Sequence, residues 1–185
     1  ANKYANFNDF FTRSLRPGSR LIANSDIVSP ADGVVSQFGF IDRESLLQAK
    51  GRFFLLSELL ALEAKSARED FEDGAFLTIY LSPRDYHRFH MPVSGSLLST
   101  RYVPGKLYSV NTATAKKLDN LYARNERYIV NFSGAHGRFA MVAVGAMIVA
   151  GIETVWSGTV ASNSLITEVS EHQYKEKCIY LDKGE

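Results

Sequence analysis

The segment "YLSPRDYHRFHMPVSG" at residues 80–95 carries the most reactive set of side chains in this sequence. It contains two of the four histidines of the chain, His87 and His90, among charged neighbours. Histidine is the side chain that changes its charge near neutral pH, and it is the commonest general acid or base in proteins. Two histidines three residues apart, followed by a proline and a glycine, therefore predict an acid–base site.

A second segment, "SPADGVV" at residues 29–35, has the same layout as the end of the first. In both segments a proline lies three residues before a glycine that opens a predicted strand. If the two turns meet, the carboxylate of Asp32 can accept a hydrogen bond from the imidazole of His90. Such a contact fixes the tautomer of the histidine and stabilises its protonated form, which a general base needs. His87 is then a second, separate acid or base.

Other interpretations of these residues stay open. Asp32 can be a turn residue that caps its own backbone, and each histidine can be a hydrogen-bonded structural residue. Asp32, His87 and His90 together can also be the ligands of a zinc hydrolase, because zinc sites use three protein ligands and an open position. A third possibility is a carrier domain in which His90 is phosphorylated.

The chain offers no nucleophile in a triad-like setting. The two Gly-Ser pairs, Gly18-Ser19 and Gly95-Ser96, lie away from any such arrangement of residues. His136 and His172 are weak candidates for an additional metal ligand, because they lie in a loop and in a polar segment. The residue types alone predict an acid–base pair without its nucleophile.

The order of elements predicts an α+β fold with a predominantly antiparallel β-sheet, a few short helices and an N-terminal helical arm. Ser57 is the predicted N-cap of a helix that runs to residue 68. The loop "SGAHG" at 133–137 is predicted to join two strands as a hairpin. The predicted strands cover residues 34–40, 75–81, 95–103, 126–132, 138–149, 152–160, 164–170 and 177–182.

The first 28 residues differ from the rest and form a predicted amphipathic arm, 1–28, followed by a single β-rich catalytic domain, 29–185. Aromatic residues recur in the arm at helical spacing with arginines around them. The arm can pack on its own core, or it can rest on an anionic bilayer surface. The residues predicted to contact a membrane are Phe7, Phe10, Phe11, Arg13 and Arg16.

Composition excludes several classes of protein. A formal net charge of +1 over 185 residues argues against nucleic-acid binding by bulk charge. The longest apolar run, residues 139–152, is too short to span a bilayer as a helix, and a pair of buried strands accounts for it better. The single cysteine, Cys178, cannot form an internal disulfide and is expected to be half-buried in a strand.

Seven blocks of the sequence together resemble the phosphatidylserine decarboxylase family of the bacterial type. They occur in the order of that family from about residue 7 to about residue 158. The two most specific are the PADG and histidine segments described above. The blocks are "FNDFFTRSLRPGSR", "SPADGVVSQ", "LLQAKG", "YLSPRDYHRFHMPVSG", "YVPGKLYSVN", "LYARNERYIV" and "VGAMIVAGIETVWSG".

The resemblance implies a proenzyme that cuts itself at a Gly-Ser bond in a Leu-Gly-Ser-Thr type motif. The sequence contains no such motif, so it resembles the β chain, and the serine belongs to a separate α chain. That serine becomes a covalent pyruvoyl group, the implied cofactor, which lies outside this chain. The implied reaction converts phosphatidylserine to phosphatidylethanolamine and CO2 through a Schiff base. The implied partners are the α chain, phosphatidylserine and an anionic membrane surface, with possible pairing of two αβ units.

The resemblance also implies roles for single residues. Asp32 and His90 match the aspartate and the base of the family's triad, and His87 is the expected acid that protonates the intermediate after CO2 leaves. Tyr86, Ser109 and Asn111 are candidates for substrate binding, although a structural role in tying loops to the sheet fits each of them as well. The implied location is the cytoplasmic face of the cell membrane, as a peripheral protein.

Overall fold

A computed structural model describes residues 4–71, 73–147, 149, 151–160, 167–174 and 177–185 of the chain. The helices are α1 (Phe7–Phe11), α2 (Leu56–Leu60), α3 (Ala64–Phe71), α4 (Thr112–Ala115) and α5 (Leu121–Arg124). The strands are β1 (Val34–Phe40), β2 (Ser45–Ala49), β3 (Arg52–Leu55), β4 (Ala75–Tyr80), β5 (Gly95–Val103), β6 (Arg127–Gly134), β7 (Gly137–Val144), β8 (Ile152–Thr154), β9 (Gly158–Val160), β10 (Ser170–Gln173) and β11 (Tyr180–Leu181). Within the described residues, no helix is long and apolar enough to cross a bilayer.

The main sheet is antiparallel, with the order β10-β5-β6-β7 and with β11 also paired to β5. This sheet confirms the predicted α+β fold with mostly antiparallel strands and few short helices. Strand β6 lies in its centre, and its residues alternate between two cores because successive side chains point to opposite faces of a sheet. Tyr128, Val130 and Phe132 enter one core, whereas Ile129 enters the other.

The two cores have different surroundings. The first packs helices α2, α3 and α5 and the hairpin β2–β3 against one face of the sheet. The second lies on the opposite face and contains Met91 and Leu181, which border the histidine segment and the last strand. The site region is therefore attached to the second core, and the first core supports the sheet from behind.

Strands β1 and β4 form a separate two-stranded antiparallel ribbon. Phe38 lies opposite Leu77 and Phe40 lies opposite Ala75, with an irregularity in the register between Val35 and Gln37. The ribbon leads from the PADG turn at one end of β1 and into the histidine segment after β4. It therefore carries both of the segments that the sequence singled out.

The structure corrects several predicted elements. Ser57 is not an N-cap but lies inside α2, and the predicted helix breaks at Ala61, whose φ of 49° is left-handed. The hairpin β2–β3 was not predicted. Residues 152–160 form a hairpin, β8–β9, rather than one strand. Cys178 is exposed and lies before β11, so it is not half-buried in a strand.

Three further boundaries differ from the prediction. Strand β7 ends at Val144 instead of residue 149. The loop between β6 and β7 is shorter than expected, because Gly134 pairs with Gly137 and leaves only two residues between them. Of the strand predicted at 164–170, residues 164–166 lie outside the described residues, and β10 starts at Ser170.

Arg127 links the ends of two helices beneath the sheet. Its guanidinium donates to the carbonyl oxygens of Glu58 and Leu59 at 2.7 and 2.6 Å, in the last turns of α2. It also donates to the carbonyl oxygens of Ala123 and Asn125 at 2.7 and 3.0 Å, where α5 ends. Burial lowers the pKa of Arg127 to about 10. The charge stays buried because four carbonyl dipoles replace its water.

We expect Arg127→Met to lower the free energy of unfolding by about 3 kcal/mol, because it leaves buried carbonyl groups without donors. Urea unfolding measures this change. The matched control is Arg138→Met, which removes an exposed arginine paired with Asp70 and should cost less than about 1 kcal/mol. Equal losses for both variants would contradict a structural role for Arg127.

Candidate active site

A tight turn at the end of β4 sets the direction of the histidine segment. The backbone N–H of Ser82 donates to the carboxylate of Asp85 at 2.7 Å, and the N–H of Asp85 donates back to the carbonyl of Ser82 at 2.9 Å. The hydrogen bonds from Ser82 lower the pKa of Asp85, with smaller contributions from His87 and Arg84. The reciprocal pair fixes the backbone just before Tyr86 and His87.

The imidazole of His90 is held from both sides. Its Nδ1 lies 3.2 Å from the carbonyl oxygen of Gly184, and its Nε2 lies 3.0 Å from the hydroxyl of Tyr86. A carbonyl oxygen can only accept, so Nδ1 carries a proton, and in the neutral imidazole Nε2 therefore accepts from the hydroxyl of the tyrosine. Tyr86 is buried and its ring lies nearly parallel to the imidazole, at 17°. The free electron pair of His90 is therefore on Nε2.

Gly184 can make this contact because of its backbone conformation. Its φ of +87° is left-handed, and a Cβ there would meet the side chain of Ile22 at 2.7 Å. Glycine is the residue that adopts this conformation without strain. The carbonyl oxygen of Met91 accepts from the N–H of Gly184 at 2.8 Å, which holds the segment beside the histidines.

The two glycine turns do meet, as the sequence predicted they could. The N–H of His90 donates to the carbonyl of Pro30 at 2.8 Å, and the N–H of Val28 donates to the carbonyl of Pro92 at 2.9 Å. Gly33 allows this approach, because a Cβ on it would lie only 2.6 Å from the carbonyl oxygen of Tyr80. The backbones of the PADG and histidine segments are thus joined directly.

Among the described residues no hydrogen bond joins Asp32 to His90 in this conformation, so their pairing in a triad stays a prediction. The carboxylate of Asp32 instead accepts from Nε of Arg20, at 2.9 and 3.1 Å to its two oxygens. The ion pair with Asp32 raises the pKa of Arg20. A guanidinium offers a planar pair of donors that matches a carboxylate, so it competes well with an imidazole for the same oxygens.

His87 has a different environment from His90. Its Nδ1 donates to the carbonyl of Asp85 at 2.9 Å, and its ring packs against Phe11 with 3.9 Å between ring centroids. Beside it, Arg88 donates from Nε to the carbonyl of Thr12 at 2.8 Å. The N-terminal arm therefore lies against the histidine segment and covers one side of His87.

The donor atoms are not arranged as a zinc site. Across the part of the chain that the structure describes, no three His, Cys, Asp or Glu side chains come together to bind a metal. The oxygens of Asp32 face Arg20, and the Nδ1 atoms of both histidines face carbonyl groups. The alternative of a zinc hydrolase with Asp32, His87 and His90 as ligands therefore finds no support in this geometry.

Ser109 and Asn111 make local hydrogen bonds. The side chain of Asn111 caps α4 by accepting from the N–H of Thr114 at 2.9 Å, and Ser109 accepts from the N–H of Asn111 at 3.5 Å. These contacts are the structural role that the sequence left open. They do not bring either residue to His87 or His90, and binding of substrate by these two residues stays a prediction. Tyr86, predicted for the same pocket, does lie at the site.

The arm forms only one helical turn and a half, α1, and its aromatic residues divide between two environments. Phe7 and Phe10 are exposed, Arg13 lies over the ring of Phe10 at 4.7 Å, and Arg16 is exposed. Phe11 is only 6% exposed because it packs on His87. The assignment of Phe11 to a membrane-contacting face is therefore corrected, and it belongs to the contact between arm and site.

Comparison with known proteins decides the family. The family model described as "Phosphatidylserine decarboxylase" matches residues 7–185. This chain belongs to the phosphatidylserine decarboxylase family. The match includes the arm, the PADG turn and the histidine segment.

Curated relatives in this family are named "Phosphatidylserine decarboxylase proenzyme". The one from Methylobacillus flagellatus is 50% identical over 182 residues, which cover 98% of this chain and 64% of the relative. The one from Chromobacterium violaceum is 52% identical, covering 98% of this chain and 65% of the relative. The one from Acinetobacter baumannii is 51% identical, covering 100% of this chain and 63% of the relative. The chain thus spans a little under two thirds of the length of these relatives.

Two contributors to the site were not found from the sequence. Gly184 and Arg20 lie 94 residues after His90 and 12 residues before Asp32. The Pro-Gly pair in the "RPGSR" segment of the arm is typical of the end of a helix, but nothing in that segment indicates that Arg20 pairs with Asp32. Nothing in the local sequence around Gly184 indicated contact with a histidine, because the contact depends on where β11 pairs with β5.

We expect His90 to be a Nδ1–H tautomer in the neutral form, since the Gly184 carbonyl can only accept. Long-range ¹H–¹⁵N correlation spectra at mildly alkaline pH measure this directly. Tyr86→Phe should shift the Nε2 resonance of His90 and leave both resonances of His87 in place. A proton found on Nε2 of His90 would show that the contacts with Tyr86 and Gly184 are not those of the protein in solution.

Proposed function

We propose that this chain is part of an enzyme that decarboxylates phosphatidylserine to phosphatidylethanolamine. The single observation that carries the proposal is the imidazole of His90, fixed with a basic Nε2 beside the PADG turn in a chain of this family. The remaining polypeptide of a family proenzyme would supply the serine that the residues described here lack. Activity, substrate and partner chain are all part of this proposal.

Self-cleavage is the first step in which His90 would act. In the proposed step, Nε2 of His90 removes the proton from the serine hydroxyl, whose oxygen attacks the carbonyl of the preceding glycine. The peptide bond becomes an ester, which then eliminates to leave a carboxylate and a dehydroalanine. Hydrolysis of the dehydroalanine releases ammonia. The position of Gly184 next to His90 supports this step, because a segment that follows residue 185 can reach the imidazole within a few residues.

Three contacts of the present structure must change for that step. The hydroxyl of Tyr86 must release Nε2 of His90, and the carboxylate of Asp32 must leave Arg20. The Nδ1–H of His90 must then exchange the carbonyl of Gly184 for that carboxylate. An exposed ion pair contributes about 0–1 kcal/mol to stability, so replacing Arg20 as the partner of Asp32 costs little free energy. In the proposed triad Asp32 would stabilise the imidazolium that forms when His90 takes the serine proton.

The residues at this site fit a pyruvoyl group at the start of a partner α chain. The fit rests on two contacts of His90, one with Gly184 and one with the PADG turn. These contacts place Nε2 of His90 close to the point where the α chain would begin. A pyruvoyl group supplies a carbonyl that condenses with the substrate amine and accepts the electron pair released with CO2. His87 would hold the proton for the substrate carbon on Nε2, since its Nδ1 already donates to Asp85.

The exposed part of the arm would dock the protein on anionic membranes as a peripheral protein of the cytoplasmic face. Phe7 and Phe10 offer exposed aromatic rings, Arg13 lies over the ring of Phe10, and Arg16 is exposed further along the arm. Aromatic side chains flanked by arginines bind the interface of an anionic bilayer through apolar contact and charge. Because Phe11 and Thr12 contact His87 and Arg88, docking of the arm would bring the bilayer close to the site.

We expect the two histidines to separate into two functions when the full polypeptide is expressed. His90→Ala should leave the polypeptide uncut, because no base activates the serine. His87→Ala should be cut but should lower turnover by roughly 10²- to 10⁴-fold, the usual contribution of a general acid. Denaturing mass spectrometry before and after borohydride measures the cut and the pyruvoyl group, which gains about two hydrogens on reduction.

His136→Ala is the matched control, since His136 is exposed in the loop between β6 and β7. It should be cut and should turn over at the wild-type rate. If His87→Ala and His90→Ala both remained uncut, the division of roles would be wrong. If the wild-type polypeptide were never cut and never carried a reducible group, the proposed function itself would fail.

For the arm, we expect the double change Phe7→Ser and Phe10→Ser to reduce binding to vesicles of anionic phospholipid by roughly tenfold or more, because each ring loses its burial in the interface. Sedimentation with vesicles measures the bound fraction. Phe53→Ser removes a comparably exposed phenylalanine from β3 and should have no effect. Equal loss in both variants, or none in the double variant, would contradict docking through the arm.

A further inference from the structure

The outer face of the β1–β4 ribbon consists of apolar side chains. Its register places Phe38 opposite Leu77, Phe40 opposite Ala75 and Val35 opposite Ile79. These six residues, called the ribbon face below, share one side because successive residues of a strand alternate. Phe76, which alternates with them, points to the other side and packs against the first core. The ribbon face is therefore turned outward, whereas the other side is covered at Phe76 and exposed at Val34.

The bulge in β1 is what completes this face. Val35 and Phe38 are three residues apart, so in a regular strand they would point to opposite sides. The register shift between Val35 and Gln37 inserts one extra residue, Ser36, whose hydroxyl bonds to the carbonyl of Thr78 at 3.2 Å. An extra residue in one strand resets the alternation. The bulge at Ser36 thus places the apolar side chain of Val35 on the outward face.

The exposure of this face is unusual for a surface that meets water. Phe38 is 74% exposed and Phe40 is 82% exposed, and Val35 and Leu77 are each about half exposed. Neither strand contains a charged residue. Proteins generally protect a free sheet edge with charges, prolines or a covering segment, because uncovered apolar strands aggregate. A contiguous apolar face without any of these devices indicates a covering partner.

We propose that the ribbon face is the docking surface for the polypeptide that follows residue 185 in proenzymes of this family. The inference rests on the proposed function only in that both need this additional polypeptide. Apolar side chains of that segment would cover Phe38, Phe40 and Leu77. Its backbone would add a strand to the ribbon, since β1 and β4 pair only with each other among the described residues. Strand addition of this kind is a common way to complete a sheet.

The position of Gly184 in the fold supports this occupant. Its carbonyl contacts His90, whose own N–H is bonded to Pro30. Pro30 opens the PADG turn, and β1 starts directly after that turn at Val34. Polypeptide continuing from this point therefore starts beside the beginning of the ribbon. About a third of the length of the relatives lies outside the residues they share with this chain, so a proenzyme contains additional polypeptide from which such a strand could come.

Two other occupants fit the observations less well. An anionic bilayer would favour basic residues around the face, but the far end of the ribbon carries two exposed carboxylates, Asp42 and Asp73, against one exposed arginine, Arg43. A second copy of the chain would have to compete with a segment of the same polypeptide. A tethered segment has an effective concentration in the millimolar range, so it binds first unless its affinity is poor.

Photo-cross-linking in the full-length polypeptide tests the proposal. Phe38 is replaced by p-benzoylphenylalanine, which keeps an aromatic ring at an exposed position, and the matched control carries the same group at Phe53 on β3, which is 59% exposed. We expect cross-links from position 38 to residues beyond 185 of the same polypeptide, and none to those residues from position 53. Peptide mass spectrometry identifies the linked residues, and a mixture of isotopically light and heavy protein distinguishes links within and between molecules.

Cross-links from position 38 only to a second copy, only to added anionic vesicles, or to nothing would each overturn the proposal.

The thermal stability of the full-length protein gives a second test, which needs no cross-linking group. Phe38→Asp should lower the melting temperature of the full-length protein by about 5–10 °C, because it places a charge in a covered apolar face, whereas Phe53→Asp should change it by less than about 2 °C. Equal shifts would count against a covered face. Neither test depends on self-cleavage or activity, so a failure here is distinguishable from a failure of the proposed function.

Discussion

The hydrogen bond from the N–H of His90 to the carbonyl of Pro30 is the contact on which the arrangement of this site depends. It joins two segments that are far apart in sequence, the turn before β1 and the segment after β4. Antiparallel pairing of β1 with β4 brings them to the same end of the ribbon, and Gly33 allows the close approach. The hydrogen bond therefore fixes the segment that contains Asp32 beside the segment that contains His90.

The side chains at the site are held in a resting arrangement. His90 is bound between Tyr86 and Gly184, while Asp32 is bound by Arg20, so the two proposed partners of one triad each have another partner. The arm supplies Arg20 and also Phe11, which covers His87. A segment that the sequence indicated for membrane contact thus also shapes the site. In the proposed function, the arm would connect the bilayer to the chemistry through these two residues.

The main sheet and the β1–β4 ribbon differ in how far their faces are buried by the rest of this chain. Strand β6 is buried on both faces, with helices on one side and the second core on the other. The β1–β4 ribbon has one apolar face turned outward, and it joins the PADG turn to the start of the histidine segment. Covering that face would also stiffen the strands that position Asp32 and His90. Binding of the additional polypeptide would then both cover the ribbon face and complete the proposed active site.

The sequence by itself determined the fold class and strands β1, β4 and β5, and it indicated that the PADG and histidine segments are turns that could meet. Alternating apolar residues and glycine turns are local signals, and the family motifs are contiguous. Only the tertiary structure decided which groups the side chains contact. The pairing of Asp32 with Arg20, the tautomer of His90 and the burial of Phe11 all depend on residues distant in sequence. A guanidinium, an imidazole and a backbone N–H are each good partners for a carboxylate, so residue types leave the choice open and only the distances settle it.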